Sequence, residues 1–205
     1  MPKGPLLQKG NRRDGAVLLS NRLSHPSPLE DIATRFRYWA ACMPSRVLIS
    51  AHSNGNRNSL TYGEALGAAR ILRARLAATG LRPGDRIATL LSSGLDALRL
   101  RLACLLGGFV HIAMPPYPFR NVSCFPPPDG EAARLWRIAA PDLIVVAGDH
   151  PFHGNGPALA LADLPKAATI FPDHDGAPEE WSAVFFTSGS TGAPKGVPVT
   201  RGMIS

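Results

Sequence analysis

Phe185-Phe186-Thr187-Ser188-Gly189-Ser190-Thr191-Gly192-Ala193-Pro194-Lys195-Gly196 is the stretch on which the reading of this chain turns. Two aromatic residues close a short apolar run, Trp181 to Thr187, that reads as a buried strand. Four hydroxyl side chains, three glycines and one lysine then fall between Thr187 and Gly196. Glycine admits backbone angles that a Cβ forbids, so Gly189 and Gly192 let the chain curl and aim successive N–H groups at one anion. Thr187, Ser188, Ser190 and Thr191 add O–H donors, and Lys195 adds a point charge on a flexible stem. Such a loop is equipped to hold a polyphosphate. A Ser/Gly-rich linker before a turn is the plainer reading of the same residues.

The Walker A loop is the first phosphate motif to test. It needs Gly, four residues, then Gly-Lys followed by Ser or Thr. Here Pro194 precedes Lys195 and Gly196 follows it, so the motif fails on both sides.

Upstream of the loop, Arg86 to Leu91, Phe109 to Met114 and Asp142 to Ala147 read as further strands, the last strongly β-branched. Asp96 to Leu106 and Glu131 to Ala140 read as the helices between them. Alternating strands and helices predict an α/β fold, a layered and mostly parallel sheet flanked by helices. Ligands of such sheets sit at the carboxyl ends of the strands, which is where the glycine loop begins.

Nearer the amino terminus, Ser27-Pro28-Leu29-Glu30 reads as a helix start, with Ser27 as cap and an apolar face through Leu29, Ile32, Phe36 and Ala40 up to Pro44. Arg46 to Ala51 reads as a strand and His52-Ser53-Asn54-Gly55-Asn56 as a turn. Thr61 and Glu64, three apart, form a capping box for a helix that Gly80 stops. The prolines at 115–118 and 126–128 bracket a segment expected to be irregular. Residues 148–180 read as loop with one short element at 159–164, Val197 to Thr200 as a strand, and Arg201 to Ser205 as a first helical turn. Residues 1–26 read as a loose arm and 27–205 as one domain.

Of the 205 residues, 45% are hydrophobic, enough for a sizeable core. No apolar run reaches membrane-spanning length, and the basic start lacks an apolar segment, so neither a span nor a secretory signal is expected. Cys42, Cys104 and Cys124 are widely spaced, which gives no zinc or thioredoxin pattern and fits a reducing cytoplasm; Cys42 and Cys104 read as small core residues. The net charge is +7, but the arginines are spread over helices, as at Arg70, Arg73, Arg75, Arg99 and Arg101. They read as solvated helix faces rather than a nucleic-acid footprint.

The T-S-G-S-T-G-x-P-K-G pattern at 187–196 resembles the phosphate-binding signature of the adenylate-forming, AMP-binding superfamily. That group holds acyl- and aryl-CoA synthetases, luciferases and the adenylation domains of peptide synthetases. Leu60-Thr61-Tyr62-Gly63-Glu64-Ala65-Leu66, Gly80 to Arg86 and Leu105 to Pro116 are similar to further segments of it, in the same order. The Tyr117 region and the tail Gly196 to Met203 resemble the feruloyl-CoA synthase-like group. The resemblance implies an ATP-dependent acid–CoA ligase that makes an acyl-adenylate from a small carboxylic acid, then passes the acyl group to coenzyme A, with Mg²⁺ sharing the phosphate charge. It implies that Thr187, Ser188, Gly189, Ser190, Thr191 and Gly192 wrap the ATP phosphates, and that Lys195 offsets charge on the leaving pyrophosphate. The family's adenine, ribose, Mg²⁺ and C-terminal catalytic segments have no counterpart in these residues. The expectation is therefore an N-terminal part that is inactive by itself: a fragment, a truncated gene product, or one half of a split protein with the C-terminal part as a separate partner chain. A non-catalytic remnant or regulatory protein that keeps the fold stays open as the alternative.

The other chemically suggestive residues have plain readings. His52, His150, His153 and His174 read as polar loop positions, and His111 as a satisfied buried histidine. Asp173 and Asp175 read as a solvated loop rather than a metal pair, so no metal ligand is assigned. Trp39, Trp136 and Trp181 read as core.

Overall fold

The central strands are apolar on both faces, so helices must cover both sides of their sheet. A computed structural model of the chain describes residues 7–11, 17–21, 31–53, 56–92, 94–151, 157–167, 171–187 and 194–204. In chain order the elements are β1 (Leu7–Asn11), β2 (Val17–Asn21), α1 (Ile32–Cys42), β3 (Val47–Ser53), β4 (Asn56–Thr61), α2 (Tyr62–Ala77), β5 (Arg86–Leu90), α3 (Leu95–Gly107), β6 (Val110–Ala113), α4 (Pro116–Phe119), α5 (Gly130–Ala139), β7 (Leu143–Val146), β8 (Ala158–Ala160), β9 (Trp181–Thr187) and β10 (Lys195–Thr200). Short 3₁₀ turns occupy Leu161–Asp163 and Gly202–Ile204.

The chain divides into two units, Met1–Glu30 and Asp31–Ser205. In the first, β1 and β2 pair antiparallel, with Leu7 opposite Asn21 and Asn11 opposite Val17. The stretch expected as a loose arm thus contains a two-stranded ladder. The Asp14-Gly15 dipeptide between the two strands is a strong hairpin cue in sequence.

In the second unit six strands form one sheet in the order β10-β9-β6-β5-β7-β8. All neighbours are parallel except β10, which runs antiparallel to β9. The expected α/β fold, a mostly parallel sheet flanked by helices, is what forms. Residues alternate between the two faces with the period of a strand. Ala88, Ile112, Ile144 and Val146 face Phe119 of α4, Phe125 and Leu135 of α5. Ile87, Leu143 and Val145 face Leu72 and Leu76 of α2 and Leu100 and Cys104 of α3. A third cluster ties Ala33 and Phe36 of α1 to α2 and to the end of α3. The two outer strands differ: β10 carries Pro198, whereas β8 is only three residues long.

Local signals explain most boundaries. The Glu64 N–H donates to Thr61 Oγ1 at 3.3 Å and the Thr61 N–H donates to Glu64 Oε2 at 2.8 Å, the expected capping box of α2. Gly108 ends α3 at φ 71, and Gly84 holds the turn into β5 at φ 94. Other expectations are corrected. α1 begins at Ile32 with Asp31 as its N-cap residue, and the expected start at Ser27 to Glu30 lies outside the described residues. His52 and Ser53 belong to β3 rather than to a turn, because β3 pairs with β4 as far as Ser53 opposite Asn56. The segment expected to be irregular includes the helical turn α4, since proline is tolerated in a first turn whose N–H groups need no helical partner. Trp39 and Trp181 are surface residues, 42% and 45% exposed, not core. Trp181 opens β9 with the Arg86 guanidinium 5.8 Å above its ring. Cys42 is exposed, whereas Cys104 is buried, and burial pushes its thiol up to about 12.

Candidate functional site

Because β9 runs parallel to β6, with His111 opposite Ala183 and Ile112 opposite Val184, Thr187 emerges at the carboxyl end of the sheet. β10 then returns antiparallel, and its first residue, Lys195, is the register partner of Thr187. Both side chains are exposed there. Ser188, Gly189, Ser190, Thr191 and Gly192, the remaining loop residues assigned from sequence, lie outside the described residues. Lys195 is thus a strand residue rather than a loop residue, held by the β9–β10 ladder. Gly196 has a packing reason of its own. A Cβ there would stand 2.9 Å from Ile138 Cγ2 of α5 and 3.3 Å from Val184 Cγ1, closer than side chains pack.

The opposite end of β9 is fastened by side chains that local patterning left unassigned. Asp173, expected in a solvated loop, has a side chain only 6% exposed. It accepts from Arg73 Nη1 at 2.6 Å and from Arg70 Nη2 at 2.6 Å, while Arg37 stands 3.9 Å away. Arg37 also donates to the exposed Asp175 at 2.7 Å. Arg73 is buried, not solvated. Its guanidinium also donates to the carbonyls of Leu106 and Phe171. Burial holds Arg73 below its usual range despite Asp173, whereas the hydrogen bond to Asp173 raises the half-exposed Arg70. Arg75 donates to the carbonyls of Ala162 and Leu164. The arginines read as a solvated face are therefore largely structural on α2.

Arg201, just past β10, is buried as well. It donates to Leu105 O at 3.1 Å and to Asp31 Oδ2 at 2.7 Å, and its backbone N–H reaches Glu180 O at 2.9 Å. That single residue joins the end of β10 to the start of β9 and to the N-cap of α1. His174, expected as a plain loop histidine, contacts Glu180 Oε2 at 2.7 Å, and its backbone N–H donates to Leu106 O. The Glu180 carboxyl is held below its ordinary range first by that His174 contact.

His111 lies buried on β6 with Nε2 3.2 Å from Thr89 Oγ1. Its Nδ1 is buried and meets no hydrogen-bond partner among the described residues, so it is only half satisfied. Burial, with Arg101 nearby, pushes His111 down to about 4. Nothing places it near Thr187, and it is not a candidate base. His150 Nε2 lies 3.2 Å from Phe119 O, and His153 lies outside the described residues. Among the described residues no three His, Cys, Asp or Glu side chains stand where they could hold a metal ion. No helix among them is long and apolar enough to cross a membrane.

Thr187 and Lys195 thus stand side by side at the carboxyl end of a mostly parallel sheet, on either side of the Ser/Gly-rich stretch 188–192 in the sequence. The model of the AMP-binding enzyme family matches residues 36–205, and the chain belongs to that adenylate-forming family. Isonitrile lipopeptide synthase of Streptomyces coeruleorubidus is 33% identical over 148 residues, covering 69% of this chain and 10% of that protein. The fatty acyl-adenylate ligase from L. pneumophila, solved with acyl adenylate and pyrophosphate, superposes with a TM-score of 0.70 at 23% identity, over 85% of this chain and 31% of that one. The O-succinylbenzoate coenzyme A synthetase of Bacillus subtilis, solved with AMP, gives 0.68 at 19% identity, over 83% of this chain and 42% of that one. The chain spans about a tenth of that curated relative and less than half of either solved chain. The two solved structures share its fold.

Proposed function

We propose that this chain holds the phosphates of ATP at the 187–196 loop and, within an adenylation domain, serves the activation of a small carboxylic acid as its acyl-adenylate. The observation that supports this most is the register pairing of Thr187 with Lys195 at the carboxyl end of β9, on either side of a Ser-Gly-Ser-Thr-Gly run. In the reaction a carboxylate oxygen bonds to the α-phosphorus while the bond from that phosphorus to the bridging oxygen breaks and pyrophosphate leaves. The Thr187 hydroxyl, with Ser188, Ser190, Thr191 and the glycine N–H groups, grips the departing phosphates. The Lys195 ammonium meets charge that grows as they leave, so it favours the transition state over the bound substrate. Mg²⁺, when bound, would neutralise further phosphate charge.

A thiol then takes the acyl group and AMP departs. Coenzyme A is the acceptor on the acid–CoA ligase reading, with an aromatic, feruloyl-like acid, which rests on the sequence resemblance at Tyr117 and Gly196 to Met203. A second reading, an adenylation domain of a peptide-making synthase, has the 33% identity to isonitrile lipopeptide synthase behind it. Calorimetric titration of the chain with ATP tests the phosphate site. Binding weakened about tenfold by Lys195→Ala is expected, as for the loss of one charged hydrogen-bonding partner. Equal affinity in both proteins would reduce the loop to a turn. Acid-dependent exchange of pyrophosphate into ATP is expected only in a protein that joins these residues to the rest of an adenylation domain. There, acyl transfer to free coenzyme A separates the two acceptor readings.

A further inference from the structure

Four parallel strands lie side by side in the order β6-β5-β7-β8. The chain leaves β5 toward β6 by way of α3, and leaves β7 toward β8 in the opposite direction. α3 covers one face of these strands and α5 the other. Connections that diverge from two neighbouring strands open a crevice beyond their carboxyl ends, and ligands of doubly wound sheets sit in that crevice. Here the divergence falls between β5 and β7, and β5 is separated from the β9 of the glycine loop by β6.

A cleft of about 550 Å³ stands at that point. Leu90 and Ala147, from the ends of β5 and β7, line it together with Ser92, Arg120, Asn121 and Asp149. Among the described residues none of these four polar side chains has a hydrogen-bond or ion-pair partner. At the amino end of the sheet, by contrast, Arg70, Arg73 and Arg201 are all engaged. One wall of the cleft is His150, anchored through Nε2 at the Phe119 carbonyl, 3.2 Å away.

We infer that this crevice is a second ligand site, for a small molecule with an oxyanion at Arg120 and Asn121 and a hydroxyl or ammonium group at Asp149. A guanidinium fork matches the planar oxygens of carboxylate and phosphate alike. The Asn121 amide and Ser92 hydroxyl add neutral donors, and Asp149 accepts only, so it selects a molecule with a donor at its other end. Phosphate monoesters and free carboxylates of this shape share the chemistry. The site does not depend on the glycine loop.

Titration of the 205-residue chain with inorganic phosphate, ribose 5-phosphate and serine tests this, by calorimetry and by the NMR signals of the His150 ring. Ribose 5-phosphate or serine is expected to bind and to shift His150, the first marking a phosphate ligand and the second a carboxylate. Arg120→Ala should weaken that binding about tenfold or more, since it removes a charged hydrogen-bonding partner. Asp149→Asn should weaken ribose 5-phosphate or serine but leave inorganic phosphate unchanged. Both side chains are exposed, so neither substitution threatens the fold. The inference is overturned if none of the three probes binds, or if Arg120→Ala leaves binding intact. Binding abolished by Lys195→Ala but not by Arg120→Ala would also overturn it, by placing the anion at the glycine loop.

Discussion

The two ends of β9 are built on opposite plans. At its amino end the segment 171–180 is clamped by Asp173 on Arg70 and Arg73, by His174 on Glu180, and by the backbone N–H of Arg201, itself held on Asp31 and Leu105, donating to Glu180 O. At its carboxyl end Thr187 and Lys195 stand exposed, and the cleft beside β5 and β7 holds polar side chains with no partner among the described residues. A polar group already paired inside the protein has nothing left to offer a ligand, and one left unpaired on the surface costs little because water satisfies it. Among the described residues the fold therefore places most of its ion pairs at the amino end of β9 and leaves the carboxyl end, where both proposed sites lie, largely unpaired.

The largest expected effect tests the clamp. Asp173→Ala leaves buried Arg73 without its carboxylate, and breaking such a pair typically costs about 3–5 kcal/mol. Urea unfolding of the variant measures it, and a loss under about 1 kcal/mol would mean the clamp contributes no more than a surface pair. Next comes the open end. In a protein with the adenylation domain complete, Lys195→Ala should lower pyrophosphate release by roughly 10²–10³. Its unfolding free energy should stay within about 0.5 kcal/mol of the parent, because the side chain is exposed. A variant that melts early yet turns over normally would reverse the comparison. Lys195→Arg should recover only part of the rate, a planar fork being a poor copy of a compact ammonium.

A smaller effect probes His111, whose ring is buried between the two ends. Its folded pKa of about 4 lies below the ordinary value near 6.5, so the unfolded chain binds the proton more readily. The stability of the neutral ring is fully present above about pH 6.5 and is lost as the pH falls toward 4, by about 3 kcal/mol at most. His111→Gln should flatten that stretch of the stability–pH curve. An unchanged slope would mean other groups carry it. The smallest effect is Thr61→Ala, which removes the cap of α2 and should cost about 1 kcal/mol in thermal unfolding with no change in ATP affinity.

What could be read beforehand divides along the same line. The strands at 86–90, 110–113, 143–146 and 181–187 announce themselves because apolar residues dominate each short run. The Thr61–Glu64 box and the glycine loop are also local, written within a few neighbouring residues. The clamp is not local. Asp173 finds Arg73 across 100 positions and Arg201 finds Asp31 across 170. An arginine in sequence looks the same whether it ends in water or on a buried carboxylate. β4 was hidden for a related reason, since Asn56, Arg57 and Asn58 have little strand preference and are held by their pairing with β3. Trp39 and Trp181 show the converse: large rings suggest a core but do not require one.

Pro198 on β10 bears on whether copies of this protein can polymerise. Fibril growth by strand addition needs a template that offers donors and acceptors in an unbroken row. On one side the row offered to an incoming chain lacks a donor, because proline has no N–H. On the other the template is β8, only three residues long. Both outer strands of the six-stranded sheet are thus poor templates, so strand addition along that sheet is disfavoured at either end.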